Sequence, residues 1–394
     1  MRVFVTDGEN RAALAVTRSL GRAGHDVVVG EKHSPSLAQT SRYCAARSVY
    51  PDPVSSSGEF IEYLAAVVRD QSIDVLLPVA DITTFLITRH RDRFRPCAVP
   101  FADADIVERA ANKVDLVQTA MRLGVPVPCT VVVGDPARIP GHDLGFPLVI
   151  KPRQSKVRTA AGWVSSNVSY AADAEELARD VASRPPHHFP VMLQERIVGP
   201  GVGVFACYHA GRPVALFGHR RIRERPPWGG VSVLSESVAL CPLARDYATA
   251  LLDEIRWHGV AMVEFKRDVR DGVPKLMEIN GRLWGSLQLA IDAGVDFPGL
   301  LVQSVPPGRF EPQAPYRVGV RNRWFWGDVD SLLLSLFGNG APPGRTDAGP
   351  ASALLNFMDF WGRDLHYDNP KWHDMRPWFF ETYRRFETVA RSLA

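Results

Sequence analysis

Six side chains of this 394-residue chain have types and spacings that suit chemistry on a phosphorylated ligand. Lys113 lies in a helical pattern and Lys151 follows the apolar run Leu148–Ile150, so each can set an ammonium against phosphate as a point charge. Glu264 ends one apolar run, and Glu278 with Asn280 ends the next. Residues 278 and 280 face the same side of a strand, because side chains alternate with period two. Two carboxylates and an amide oxygen meeting there make a hard, all-oxygen set suited to Mg²⁺ bridging nucleotide phosphates. Arg282, two residues further on, can hold an anion bidentately.

The cation usage sharpens this reading. Only seven of the 46 basic residues are lysines: Lys32, Lys113, Lys151, Lys156, Lys266, Lys275 and Lys371. Where arginine is the default cation, a retained lysine is the better candidate for a chemical requirement.

The elements that must position these groups can be read along the chain. Val3–Thr6, Val27–Val29 and Asp74–Val79 read as strands, with a helical pattern over Ala12–Leu20. Such alternation predicts a parallel α/β sheet whose ligands sit beyond the carboxyl ends of strands. That rule points to Asp7-Gly8-Glu9-Asn10 and to Asp81, although the first turn lacks the GxGxxG dinucleotide fingerprint. Ile106–Leu123 is helical, Leu148–Ile150 and Val191–Gln194 are strands, and Leu243–His258 is an amphipathic helix. Ala261–Lys266 and Lys275–Asn280 pair around the turn Asp271-Gly272. Beyond Ser304, Pro306, Pro307, Pro312, Pro315, Pro342, Pro343 and Pro350 break the chain. Among them stand Trp324, Trp326, Trp361, Trp372 and Trp378, whose spacing suggests a helical extension with its own packing core.

Composition excludes several classes. The chain is 46% apolar and 23% charged, with a formal net charge of +3. That balance gives no electrostatic argument for nucleic acid or a membrane surface. No apolar run approaches the ~18 residues of a membrane span, and a cytoplasmic protein is expected. Cys44, Cys97, Cys129, Cys207 and Cys241 form no CxxC pair, which argues against a zinc site or a disulfide framework.

Five segments in order then carry a resemblance: Asn112-Lys113, Phe146–Pro152, Gln194–Gly199, His258–Phe265 and Met277–Arg282. Together they resemble the ATP-grasp superfamily, near the biotin carboxylase and carbamoyl-phosphate synthase large-chain branch and its carboxylate–amine ligases and predicted ATP-dependent carboligases. The resemblance runs from about residue 1 to about 305. It implies an α/β fold with a Rossmann-like pre-ATP-grasp domain (1–105), a bilobed ATP-grasp domain holding ATP between its lobes (106–305) and a helical C-terminal extension (306–394).

Roles follow at the matching positions. Lys113 and Lys151 resemble the two phosphate lysines, and Gln194, Glu195, Arg196 and Ile197 belong to the hinge that reads adenine. Glu264, Glu278 and Asn280 resemble the ligands of two Mg²⁺, with Mn²⁺ as an alternative metal. Arg282 resembles the arginine that stabilises the transferring phosphoryl group, and His219, Arg221 and Arg223 lie in a basic run facing phosphate and acceptor. The chain also departs from the family. The phosphate loop Arg153–Gly162 is poor in glycine, so either Lys156 and Arg158 replace backbone contacts or the loop closes differently; Gly199–Gly203 lacks the usual acid for ribose; and Gly281 stands where proline is common.

The resemblance implies a ligase that activates a carboxylate as an acyl-phosphate and couples it to an amine, releasing ADP and phosphate. Its partners would be small carboxylates and amines such as amino acids, with no nucleic acid and no membrane, and dimers are frequent in the family. Carboxylation with bicarbonate and a non-catalytic ATP-binding module are the alternatives.

Overall fold

Val3, Phe4 and Val5 are fully buried, and in the computed structural model they centre a parallel sheet. The structure describes residues 1–141, 143–159, 162–306, 310, 315–338 and 350–393. Strands β1 (Arg2–Val5), β2 (Asp26–Glu31), β3 (Ala46–Val49) and β4 (Val75–Leu77) take the order β3-β2-β1-β4, with helices α1 (Arg11–Arg22), α2 (Ser57–Asp70) and α3 (Asp81–Arg89) between and beside them. Near-continuous apolar strands are what a sheet covered on both faces requires. The strand order reverses between β1 and β4, and a crevice opens beyond their carboxyl ends at such a point. Asp7 holds this crevice together. Its carboxylate accepts from Val79 N (3.2 Å), Ala80 N (2.9 Å) and Thr83 Oγ1 (2.6 Å).

The helical pattern over Ile106–Leu123 divides in two, α4 (Ala104–Ala111) and α5 (Lys113–Arg122). Asn112 makes the break: it leaves the helical conformation and caps α5 by accepting from Val114 N (3.1 Å) and Asp115 N (3.4 Å). Lys113 therefore begins a helix instead of lying inside one. The first lobe is an antiparallel sheet of order β5-β10-β6-β9, made by β5 (Thr130–Val133), β6 (Leu148–Pro152), β9 (Ser169–Ala171) and β10 (Val191–Glu195). Helix α6 (Ala174–Ser183) packs Leu177 and Val181 against Leu148, Ile150 and Leu193. The phosphate loop forms a hairpin of β7 (Lys156–Thr159) and β8 (Gly162–Ser165); Ala160 and Ala161 lie outside the described residues.

The second lobe is a seven-stranded sheet, ordered β15-β14-β11-β12-β13-β16-β17. Its strands are β11 (Gly201–His209), β12 (Arg212–Arg225), β13 (Val231–Ser237), β14 (Gly259–Arg267), β15 (Pro274–Asn280), β16 (Arg321–Arg323) and β17 (Leu365–Tyr367). Helices α7 (Pro242–Glu254), α8 (Leu287–Ala293) and α9 (Phe297–Gln303) accompany it. Helix α7 stops before His258 because Arg256 takes φ +51° and the amide of Trp257 bonds back to Leu252. Strand β14 continues past Glu264 to Arg267.

The C-terminal region is largely helical, in α10 (Phe325–Phe337), α11 (Pro350–Phe357) and α12 (Arg376–Leu393), and it also supplies β16 and β17 to the large sheet. Pro307, Pro312, Pro342 and Pro343 lie outside the described residues. Trp326 and Trp378 stack at 5.9 Å in its packing core, whereas Trp361 and Trp372 are exposed. The region is tied to the first domain by Arg18, a buried side chain that donates to Asp374 Oδ2 (2.8 Å) and to the carbonyls of Asp368, Asn369 and Asp374.

Candidate active site

Glu264 and Glu278 sit opposite each other across β14 and β15. The register slips beside them: Phe265 pairs with Leu276 while Glu264 pairs with Glu278, leaving Met277 as the extra residue of a bulge. The slip lets Met277, Glu278 and Asn280 all leave the core, between buried Leu276 and Ile279. Asn280 Nδ2 donates to Glu278 Oε1 (2.9 Å) and Glu264 Oε1 (3.3 Å), so one amide group joins both carboxylates.

The electrostatics of the pair are uneven. Burial pushes the Glu264 carboxyl above its ordinary value against the pull of Arg221, and the charge of Glu278 adds to the rise. Burial also pushes Glu278 up, but Lys113, the Asn280 hydrogen bond and Lys151 together leave it below its ordinary value. This donor set fits Mg²⁺, which is held through one or two carboxylates plus substrate phosphates. Turning the Asn280 amide over would add its oxygen, an orientation that hydrogen-bond networks alone assign. Among the described residues no cluster of three or more His, Cys, Asp or Glu could hold a metal, so protein ligation here would rest on the two carboxylates and the amide.

The cations converge on the same point. Lys113 is buried at the start of α5, with Nζ 3.4 Å from Glu278 Oε2 and donating to Ser155 Oγ at 3.0 Å. Lys151 reaches across from β6 to Met277 Sδ (3.8 Å), and burial pushes its ammonium down to about 8, with Glu278 opposing. Arg282 donates through Nε to Asp81 Oδ1 (2.9 Å), through Nη1 to the Leu283 carbonyl (2.9 Å) and through Nη2 to Asn280 Oδ1 (3.4 Å). Asp81 thus meets the cleft from the first domain, as the strand-end rule predicts.

The segment that the resemblance reads as the hinge lies at the end of β10. Gln194 is buried and donates to Thr130 Oγ1 (2.9 Å). The Glu195 carboxylate accepts from Cys129 N (3.0 Å) and pairs with Arg270 (2.9 Å), so it braces the hinge. Lys266 Nζ lies 3.4 Å from the Ile197 carbonyl, and Arg196 follows Glu195 directly in the same segment.

The basic run lies on β12, and the structure separates its members. Arg221 donates to Glu264 Oε2 (2.5 Å) and Glu224 Oε1 (3.0 Å), beside the carboxylate pair. Between Arg221 and Arg223 the register slips and leaves Ile222 unpaired. Period two would otherwise put both arginines on one face. Arg223 instead grips Asp328 of α10 with Nε (2.7 Å) and Nη2 (2.5 Å), away from the carboxylate pair. His219 is buried, stacked on Phe205 at 4.3 Å, with Nε2 3.3 Å from Ser286 Oγ. Burial, then Arg221, push its imidazole down to about 3, so it is neutral over the ordinary pH range.

A cleft of about 250 Å³ opens from Glu278 and Asn280 toward the first domain. Arg282, Glu278, Lys156 and Arg158 line it, as the motifs predict, together with Phe85 and Trp163, which they do not. Ser155 and Met277 were equally invisible as lysine partners. The only sequence signal was Trp163 itself, a large aromatic directly after the loop glycine Gly162.

Residues 187–324 match a family model described as ATP-grasp in the biosynthetic pathway with Ter operon. The chain is 25% identical over 255 residues to a D-aspartate ligase of Enterococcus faecium (strain Aus0004), an alignment covering 59% of this chain. It spans 58% of that relative's length. Among solved structures it resembles an L-amino acid ligase from Bacillus licheniformis, with TM-score 0.60, 16% identity and coverage of 79% of this chain and 77% of that one. It also resembles a biotin carboxylase from Campylobacter jejuni, with TM-score 0.63, 15% identity and coverage of 81% and 74%. Among the described residues no helix is long and apolar enough to cross a membrane. The resemblance read from the five ordered segments holds, and the chain has the ATP-grasp fold.

Proposed function

We propose that this chain is an ATP- and Mg²⁺-dependent ligase that activates a substrate carboxylate as an acyl-phosphate and couples it to an amine. The observation that carries this reading is the Glu264–Glu278 pair joined through Asn280, with Lys113 and Arg221 against it and Lys151 and Arg282 beside it. Likeness to a D-aspartate ligase and an L-amino acid ligase supports it and suggests amino acids among the substrates. In this division residues 1–105 present the acid, 106–305 hold ATP and 306–394 brace the large sheet.

Glu264, Glu278 and Asn280 would hold the metal, as two Mg²⁺ in the fullest form; when bound, the metal neutralises β- and γ-phosphate oxygens. Lys113 and Lys151 bind the phosphates as point charges, and Arg282 and Arg221 stabilise charge on the transferring group. A carboxylate oxygen of the acid forms a bond to the γ-phosphorus as the bond to the bridging oxygen breaks, and ADP leaves. The amine then attacks the acyl carbon, its proton passes to solvent, and the C–O bond breaks to release phosphate. No residue is acylated. His219, neutral and buried, takes no proton in this scheme.

Purified chain with ATP, Mg²⁺ and a panel of carboxylates and amines should release ADP and phosphate in step with amide. Release of AMP and pyrophosphate would overturn the acyl-phosphate route. Fold likeness to a biotin carboxylase keeps carboxylation as a second reading, and incorporation of labelled bicarbonate in place of amine would select it.

A further inference from the structure

The cleft has two ends of different chemistry. At its inner end stand Lys113, Glu278, Asn280 and Arg282, the groups already placed around phosphoryl transfer. At its outer end apolar groups gather, Phe85 and Ile82 from α3, Val107 and Ala110 from α4, and Trp163 from the hairpin, with Glu108, Lys156 and Arg158 also on the lining. Phe85 and Trp163 meet edge to face, with ring centroids 5.2 Å apart and planes at 76°. The ligase reading demands a carboxylate at the inner end and leaves the rest of the acid open. The outer wall narrows it.

We propose that the acid this chain activates carries an aromatic or branched apolar group, seated against Phe85 and Trp163. The inference rests on the ligase reading and adds the substrate class to it. Size is consistent with this: an apolar cavity of about 150 Å³ takes benzene, so about 250 Å³ takes a phenyl-sized group with a short acid tail. Charge is consistent as well. Arg282 uses three of its five N–H donors in its bonds to Asp81, Leu283 and Asn280, which leaves two for an anion.

The position of Trp163 gives the proposal its distinctive feature. Arg158 pairs with Trp163 and Lys156 with Ser165 across the hairpin, so the two cations and the indole share one face. The hairpin is docked on the first domain: Trp163 Nε1 donates to Ser57 Oγ (3.3 Å) and its amide to the Val54 carbonyl (3.3 Å). Gly162 permits this approach, since it takes φ +114° and a Cβ there would lie 2.8 Å from the Val54 carbonyl oxygen. One element thus presents phosphate-type cations and a wall for the acid together. Trp163 is a specificity residue of the activating half-reaction.

Calorimetry on the full chain with Mg·ADP should rank 3-phenylpropionate, phenylalanine and leucine above glycine and aspartate, by about tenfold, the discrimination typical of a hydrophobic pocket. Trp163→Ala should collapse the ratio of phenylalanine to glycine affinity, and Trp163→Phe should keep most of it. Because the readout is a ratio, a general loosening of the hairpin does not move it. Aspartate or glycine binding as tightly as phenylalanine, no acid binding at all, or an unchanged ratio in Trp163→Ala would overturn the proposal. The same acids, assayed with amines for ADP release, separate the two readings. Apolar acids that bind without ADP release sink the ligase reading and leave only the cleft's preference for an apolar acid; ADP release confined to aspartate or glycine sinks this proposal alone.

Discussion

Arg221 and Arg223 stand two residues apart on β12 and serve two charge clusters built on opposite rules. Arg223 belongs to a bracing cluster. There Asp328 is buried between two guanidinium groups, gripped bidentately by Arg223 and paired with Arg323 at 2.6 Å, while Asp330 takes Arg225 and Arg385. The two arginines on Asp328 also donate to backbone carbonyls, Arg223 to Asn356 and Arg323 to Asp359 and Phe357. Arg221 belongs to the cleft. There two carboxylates lie side by side, one raised above and one held below its ordinary value, and two of the cations are lysines. The first cluster uses its hydrogen-bonding capacity inside the protein. The second keeps like charges together and cations that can exchange partners, which suits a site that takes an anionic ligand with its metal.

Two substitutions test whether that distinction is real. Asp328→Asn should cost roughly 3–5 kcal/mol of stability, because it leaves Arg223 and Arg323 buried without their carboxylate. Urea unfolding measures this, and a midpoint near wild type would mean that the bracing cluster braces nothing. Glu278→Gln should lower kcat by about 10²-fold or more, the scale of removing one charge-stabilising group from an active site. Its unfolding midpoint should move less than that of Asp328→Asn, since it also removes a like charge beside Glu264. If both variants lost only stability, the two clusters would be of one kind.

The sequence makes half of this legible. Alternation correctly puts Glu278 and Asn280 on one side of β15, whereas the break at Asn112 is hidden inside what reads as one helical pattern over Ile106–Leu123. What composition cannot convey is a bulge. One extra residue at Ile222 sends Arg223 to α10, and one at Met277 brings that side chain to Lys151, without altering any local pattern of residue types. The strands Arg321–Arg323 and Leu365–Tyr367 were equally hidden, because three-residue strands with two arginines or a histidine carry no apolar alternation. Trp163 was hidden for a different reason: its partners Ser57 and Phe85 lie about a hundred residues away on another domain.

A smaller effect sharpens the cleft side of the comparison. The Lys151 ammonium is pushed down to about 8 by burial, so it is charged below that pH and neutral above it. A group that holds phosphate as a cation should then let the KM for ATP rise as pH climbs through 8, by about tenfold between pH 7 and pH 9. Lys151→Arg, whose cation persists across this range, should flatten the rise even if its KM is higher throughout. A wild-type KM that stays level to pH 9 would remove Lys151 from the phosphate site.

The smallest expected effect concerns His219, which precedes both arginines on β12 and belongs to neither cluster. Its ring is stacked on Phe205 and lies 6.5 Å from that of Phe217, and its Nε2 meets Ser286. With its imidazole pushed down to about 3, chiefly by burial, it changes no charge between pH 5 and pH 9. His219→Phe keeps the stack and loses one hydrogen bond, so it should cost about 1 kcal/mol of stability and change kcat by no more than about twofold. The decisive measurement is the shape of the kcat profile from pH 5 to pH 9, which should be the same in the variant. Loss of an acid limb near pH 6 to 7 in His219→Phe would mean that the histidine titrates during turnover, and it would move His219 into the cleft cluster beside Arg221.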